Sequence, residues 1–129
     1  MANNMDLYQE IILDHYKYPR NQGELAQHQH VLSCSESNVG CGDEFLVALS
    51  LDKAGQKIED IKWQGQGCAI STASMSLLSE YVIGKTIEEV KIVDKNILLE
   101  LLGLDEITPA REKCMMLGVR AVQRALDQK

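Results

Sequence analysis

The nine residues Asp43–Leu51, DEFLVALSL, constrain this chain more than any other segment. From Phe45 onward Phe45, Val47, Leu49 and Leu51 fall on one side of an extended backbone, while Glu44, Ala48 and Ser50 fall on the other. A strand with one apolar face needs strands beside it and a cover over that face. The sequence continues through a KAGQ turn into a second strand, expected over Lys57–Gln64, with Ile61 and Trp63 on a common face. Ile58 is out of phase with them, which predicts a bulge or a late start. The glycines of GQG, Gly65 to Gly67, are expected to end that strand. A further strand is expected around Val31–Ser37.

The cover comes from segments of helical period. The first runs from Asp6 to about Tyr16, with Tyr8, Ile11, Ile12, His15 and Tyr16 on one face and Pro19 beyond its end. Ala69 opens a second, with Ile70, Ala73, Leu77 and Tyr81 at helical spacing and Gly84 as its stop. Thr86 caps a short helix over TIEEV, and Gly103 ends another over NILLELL. The last begins with Thr108 as N-cap and Pro109 in the first turn. It is expected to run unbroken to about Leu126, with Cys114, Leu117, Ala121, Val122 and Ala125 along one stripe. These elements predict an α+β fold: a small, mainly antiparallel three-stranded sheet flanked by about five helices, in one domain over residues 1–129.

Charge and composition exclude several roles. The 129 residues carry 19 acidic and 13 basic side chains, a net charge of −6, so the basic footprint of nucleic-acid binding is missing. No apolar run approaches the roughly 18–20 residues of a membrane span. The N-terminus, MANNMDLYQE, lacks the pattern of a secretory signal, and a cytoplasmic protein is expected. In a reducing compartment the four cysteines, Cys34, Cys41, Cys68 and Cys114, point to metal or thiol chemistry rather than to disulfides.

Three of those cysteines stand at meaningful places. Followed backwards, the apolar face of the 43–51 strand reaches Asp43 and then Cys41, with Gly42 between them. Cys68 sits between a glycine turn and a helix start, where the helix dipole favours thiolate. Cys114 lies early in the last helix, beside Arg111 and Lys113. If both helices pack on the face bearing Phe45 and Val47, their N-terminal ends converge on the beginning of that strand. Three thiolates and one carboxylate then form a four-coordinate shell suited to zinc or iron. A hard oxygen in place of a fourth sulfur would loosen the hold on an iron–sulfur cluster.

Plainer readings stand beside this one. Free cysteine is among the most buried residue types, and Cys34, inside a strand, is expected to be structural. Asp43 after a glycine also suits a turn residue facing water. His15 on its helix is expected to be packed or at the surface, His28 and His30 to be solvated, Lys113 to be an exposed helix lysine, and Met115 and Met116 to fill core and rim.

At these residues the chain resembles the iron–sulfur cluster scaffold family: IscU, SufU and the N-terminal domain of NifU. The matching segments are ILDHYKYPRNQGEL, CGDEF, GQGCAIS and PAREKC, in the family's order and spanning about Leu7 to Leu126. The resemblance implies a site of Cys41, Asp43, Cys68 and Cys114. It implies sulfur received as persulfide from a pyridoxal-phosphate cysteine desulfurase, a transient [2Fe–2S] cluster passed to recipient apo-proteins or carriers, and Zn2+ in the same site in isolated members. Cys114 is the expected persulfide acceptor, on the premise that its thiol is exposed near Arg111 and Lys113. Two features depart from IscU: Lys113 stands where IscU proteins have histidine, and ITPAR replaces the chaperone-binding stretch. Both resemble SufU, yet the SufU insertion of roughly twenty residues before the last cysteine is missing. A zinc-dependent sulfurtransferase that relays persulfide sulfur is therefore the alternative, and a structural-zinc domain a third reading.

Overall fold

The computed structural model describes the backbone of residues 4–26, 31–38, 40 and 42–129, with side chains from residue 10 onward. Cys41, His28 and His30 lie outside the described residues, as does the side chain of Tyr8. Helix α1 covers Asn4–Lys17, slightly longer at both ends than its apolar period suggested. Strands β1 (Val31–Asn38), β2 (Asp43–Leu51) and β3 (Ile58–Gln66) follow, then α2 (Ala69–Val82), α3 (Ile87–Lys91), α4 (Lys95–Leu102), α5 (Pro109–Met115) and α6 (Leu117–Leu126).

The sheet is antiparallel, in the order β1-β2-β3. Cys34 pairs with Val47 and Asn38 with Asp43 across the first ladder, and Val47 pairs with Trp63 across the second. The register slips between Ser50 and Leu51, which brings Ile58 opposite Leu51 and buries it. This is the irregularity that its phase required. Gly65 does not end β3, contrary to the expectation. It stays in the ladder opposite Phe45 at φ +127°, where a Cβ would lie 2.1 Å from the Glu44 carbonyl oxygen. Only glycine lets the two strands approach so closely there. On the free side of β3, Gln22 forms a parallel bridge to Trp63.

One face of the sheet is core. Asp43, Phe45, Val47, Leu49 and Leu51 are all buried, and Phe45 meets Trp63 edge to face with ring centroids 5.3 Å apart. Each apolar side chain on this face contributes about 1.5–3 kcal/mol of burial. Helices α6 and α2 lie over it, and α1, α4 and α5 pack against α2. Helix α2 is buried around most of its circumference, Ser71, Thr72, Ser74, Ser76 and Ser79 included, rather than along one stripe. Small side chains let neighbours press on it from several sides.

The short helices begin as their caps dictate. Thr86 and Glu89 form a reciprocal capping box on α3, Asp94 caps α4, and Thr108 caps α5 ahead of Pro109. The last helix is not continuous but divides at Met116 into α5 and α6, so the expected set of about five helices numbers six among the described residues. Met116 interrupts it at φ −89° and ψ −1°. Cys114, Met115, Leu117, Gly118 and Val119 are all buried, more of the circumference than one straight stripe can present. The interruption lets Cys114 reach the sheet's end while α6 covers its middle.

Candidate metal centre

The core face of β2 begins with a carboxylate, and that end is where the helices converge. Asp43 is 4% exposed, and its Oδ2 is buried with no hydrogen-bond partner among the described residues. The water-facing turn role therefore does not hold. An ionised carboxylate in such a place costs several kcal/mol unless a cation or donor reaches it.

Cys68 follows β3 after the single residue Gly67 and is the N-cap of α2, with no hydrogen bond from its side chain to the helix. Local bonds fix this junction: Ser71 Oγ donates to the Cys68 carbonyl at 3.1 Å, and Thr72 Oγ1 to the Gly67 carbonyl at 3.3 Å. Gly67 makes the close approach possible. A Cβ there would lie 2.1 Å from Ser71 Oγ and 3.2 Å from Asp43 Cγ. The absent side chain is what allows the start of α2 to settle beside the carboxylate.

Cys114 arrives from α5. Its sulfur, that of Cys68 and a carboxylate oxygen of Asp43 all lie within 4.8 Å of one another. Tetrahedral zinc with sulfur and oxygen ligands needs separations of roughly 3.3–3.8 Å, so rotamer adjustments suffice to close on an ion. Two soft thiols with one hard oxygen suit zinc or iron rather than magnesium or calcium. The residues present fit a thiophilic metal.

Exposure is unequal within the group. Cys68 is open to solvent, whereas Cys114 is 5% exposed. The exposure presumed for Cys114 as persulfide acceptor is thus found at Cys68 instead. Cys34 stays apart, half-buried against the core as expected of a structural thiol. Arg111 and Lys113 are exposed on α5, Met115 is core and Met116 half-buried at the rim. The Arg20–Asn21 loop attaches to Trp63, Ser76 and Ser79 rather than to the three ligands. Asn38, which sequence reading missed, donates from Nδ2 to Cys114 Sγ at 3.7 Å. Its only sequence signal is its distance from Asp43, usable once the register is known.

Residues 7–128 match the family model described as the NifU-like N-terminal domain. The chain belongs to this family. Within the NifU-like family it is 34% identical to the zinc-dependent sulfurtransferase SufU of Bacillus subtilis, with 97% of this chain and 92% of that protein aligned. It is also 34% identical to the iron–sulfur cluster assembly scaffold protein IscU of Haemophilus influenzae, over 92% of each. A crystal structure of a putative scaffold protein for the SUF system from Fervidobacterium islandicum AW-1 superposes with a TM-score of 0.75 at 28% identity, covering 96% of this chain and 99% of that one. The Cys/Asp cluster thus sits in a fold shared by NifU-like proteins named for cluster assembly and for zinc-dependent sulfur transfer. Among the described residues no helix is long and apolar enough to cross a membrane.

Proposed function

We propose that this protein is an iron–sulfur cluster assembly scaffold, with Cys41, Asp43, Cys68 and Cys114 as the residues that hold its cargo. The observation that carries the reading is the meeting of Asp43, Cys68 and Cys114 from three separate elements within 4.8 Å. The buried Oδ2 of Asp43, without a partner among the described residues, supports it, since a cation removes the cost of that oxygen. One hard oxygen among soft sulfurs suits a site that releases a [2Fe–2S] cluster to recipient apo-proteins or carriers.

Sulfur comes from a cysteine desulfurase in this reading. A thiolate of this chain attacks the outer sulfur of the donor persulfide, and the donor's own thiolate leaves. Cys114 takes that sulfur, and because it is buried, uptake requires the edge between α5 and the sheet to open. Cys68 requires no such opening. A gain of one sulfur mapped to Cys114 supports the assignment, and a gain on Cys68 or Cys41 overturns it.

A second reading, a zinc-dependent sulfurtransferase, is favoured by Lys113 before Cys114, a SufU-like feature, while the 34% identity to the B. subtilis SufU equals that to IscU. Anaerobic incubation with ferrous iron, cysteine and a cysteine desulfurase separates the two. Near-equal iron and acid-labile sulfide with charge-transfer absorption, lost in Cys41→Ser and Cys68→Ser, is the scaffold result. Retained zinc, no bound sulfide and faster desulfurase turnover is the relay result. Neither behaviour, with unfolding under chelation, leaves a structural zinc domain.

A further inference from the structure

Strand β1 ends on Asn38, directly opposite Asp43. The Gly42 N–H donates to the Asn38 carbonyl at 2.9 Å, so the backbone here is closed into a turn independently of the side chain. The side-chain amide is therefore available for other work. Asp43 is its cross-strand neighbour and has an oxygen without a donor among the described residues, yet the Asn38 side-chain N–H reaches Cys114 Sγ instead, at 3.7 Å.

We propose that Asn38 is a positioning residue of the metal centre: its amide holds the Cys114 sulfur toward Asp43 and Cys68 and so sets how tightly the three grip a thiophilic cation. The inference rests on the metal-binding reading above and deepens it. An amide N–H suits this task. It is neutral, so it adds no charge to repel the cation, and as a donor it does not compete with the sulfur for the metal. It bonds to a sulfur whose side chain is otherwise buried, and it spares Asp43 Oδ2 for coordination. The link also ties β1 to α5, two elements joined at the site by nothing in the local sequence. Outer partners of this kind orient the ligands they touch, and losing one changes metal affinity by about 10- to 100-fold. Hydrogen bonds to sulfur also tune the electronic state of what the sulfur binds.

The competing role is a turn residue that only shapes the segment from 38 to 42. Zinc affinity by chelator competition, and the sulfur-to-cobalt charge-transfer spectrum of the Co(II) protein, separate the two. The variants are Asn38→Leu, which keeps the volume and loses the donor, and Asn38→Gln, which keeps the donor. Asn38→Ala replaces Asn38→Leu if far-UV circular dichroism shows the latter misfolded. The expected result is a loss of about tenfold or more in zinc affinity and a displaced charge-transfer band without the donor, with recovery toward wild type in Asn38→Gln. Affinity within twofold of wild type and an unchanged spectrum in a folded donorless variant overturn the proposal. Equal losses in Asn38→Leu and Asn38→Gln do so as well. Wild-type protein that shows neither zinc affinity nor a charge-transfer band refutes the metal-binding reading itself, an outcome distinct from these.

Discussion

Helix α2 touches two buried polar clusters, one near its middle and one at its N-terminus, and they are finished differently. Around Ser76 and Ser79 the network is closed. Arg20 N donates to Ser76 Oγ at 2.9 Å, and Ser76 Oγ lies 2.7 Å from His15 Nδ1. Ser76 Oγ thus joins the Arg20 backbone and the His15 ring in one hydrogen-bonded group. Asn21 Nδ2 donates to Ser79 Oγ, Ser79 Oγ to the Ser76 carbonyl, and Trp63 Nε1 to the Arg20 carbonyl. Asn21 holds a left-handed φ of 62° to make this hook. At the N-terminal end Cys68 caps the helix without a side-chain bond, and Asp43 Oδ2 has no partner among the described residues. Similar burial thus serves two ends. A satisfied network ties α1 and its loop to the core, whereas an unsatisfied one stores a valence for a ligand.

Opposite responses to truncation test that contrast, beginning with the open cluster. Asp43→Ala is expected to stabilise the metal-free protein by about 1–3 kcal/mol, since it removes a buried carboxylate oxygen that has no partner among the described residues. In the cluster-loaded protein the same change should slow transfer to an apo-acceptor by about tenfold and lengthen cluster lifetime, read from the decay of visible absorption. Faster cluster loss than in wild type would refute the role given to the oxygen.

Ser76→Ala should act in the other direction. It leaves His15 Nδ1 and the Arg20 N–H unpartnered and should destabilise by about 2–3 kcal/mol in urea unfolding. A change below about 0.5 kcal/mol would show that the closed network is not holding α1.

The closed cluster should also respond to acid. Burial, then the nearby Arg20 charge, hold the His15 pKa below its ordinary 6.5, against the opposing pull of Glu80 and Asp14. The native state therefore favours the neutral ring, while the unfolded chain takes up a proton near the ordinary value. This stability is present above about pH 6.5 and is lost as pH falls through the lowered native value. The unfolding midpoint should drop between about pH 7.5 and about pH 5.5, and less so in His15→Gln. Equal slopes in both proteins would show that His15 is not the responsible group.

The smallest effect is expected at Ser74, whose Oγ is buried without a partner among the described residues. Ser74→Ala should be neutral or stabilising by up to about 1 kcal/mol. A clear loss of stability would mean that this hydroxyl belongs to a network of its own.

Parts of this architecture are legible in the order of the residues alone. The apolar set at every second position from Phe45 to Leu51 specifies β2 and its core face, because a side-chain period of two leaves one register that buries Phe45, Val47, Leu49 and Leu51 together. Thr86, Gly103, Thr108 and Pro109 mark helix ends, because caps act through neighbouring backbone groups alone. The all-round burial of α2 is not legible, since serine and alanine carry no amphipathic signal. The interruption at Met116 is equally silent, as it answers the need of Cys114 and α6 to face different parts of the sheet.

The candidate site divides along the same line. Sequence by itself determined the residue types and their local settings: Asp43 opening an apolar strand face, Cys68 between a glycine turn and a helix, and Cys114 on a buried stripe. Only tertiary structure decided that these three meet within 4.8 Å, that Cys68 is open while Cys114 is covered, and that Asn38 reaches the Cys114 sulfur. Spacing along a chain sets local geometry over a few residues. Distances between side chains on β1, β2, α2 and α5 depend on strand register and helix packing, which arise only when the whole core closes.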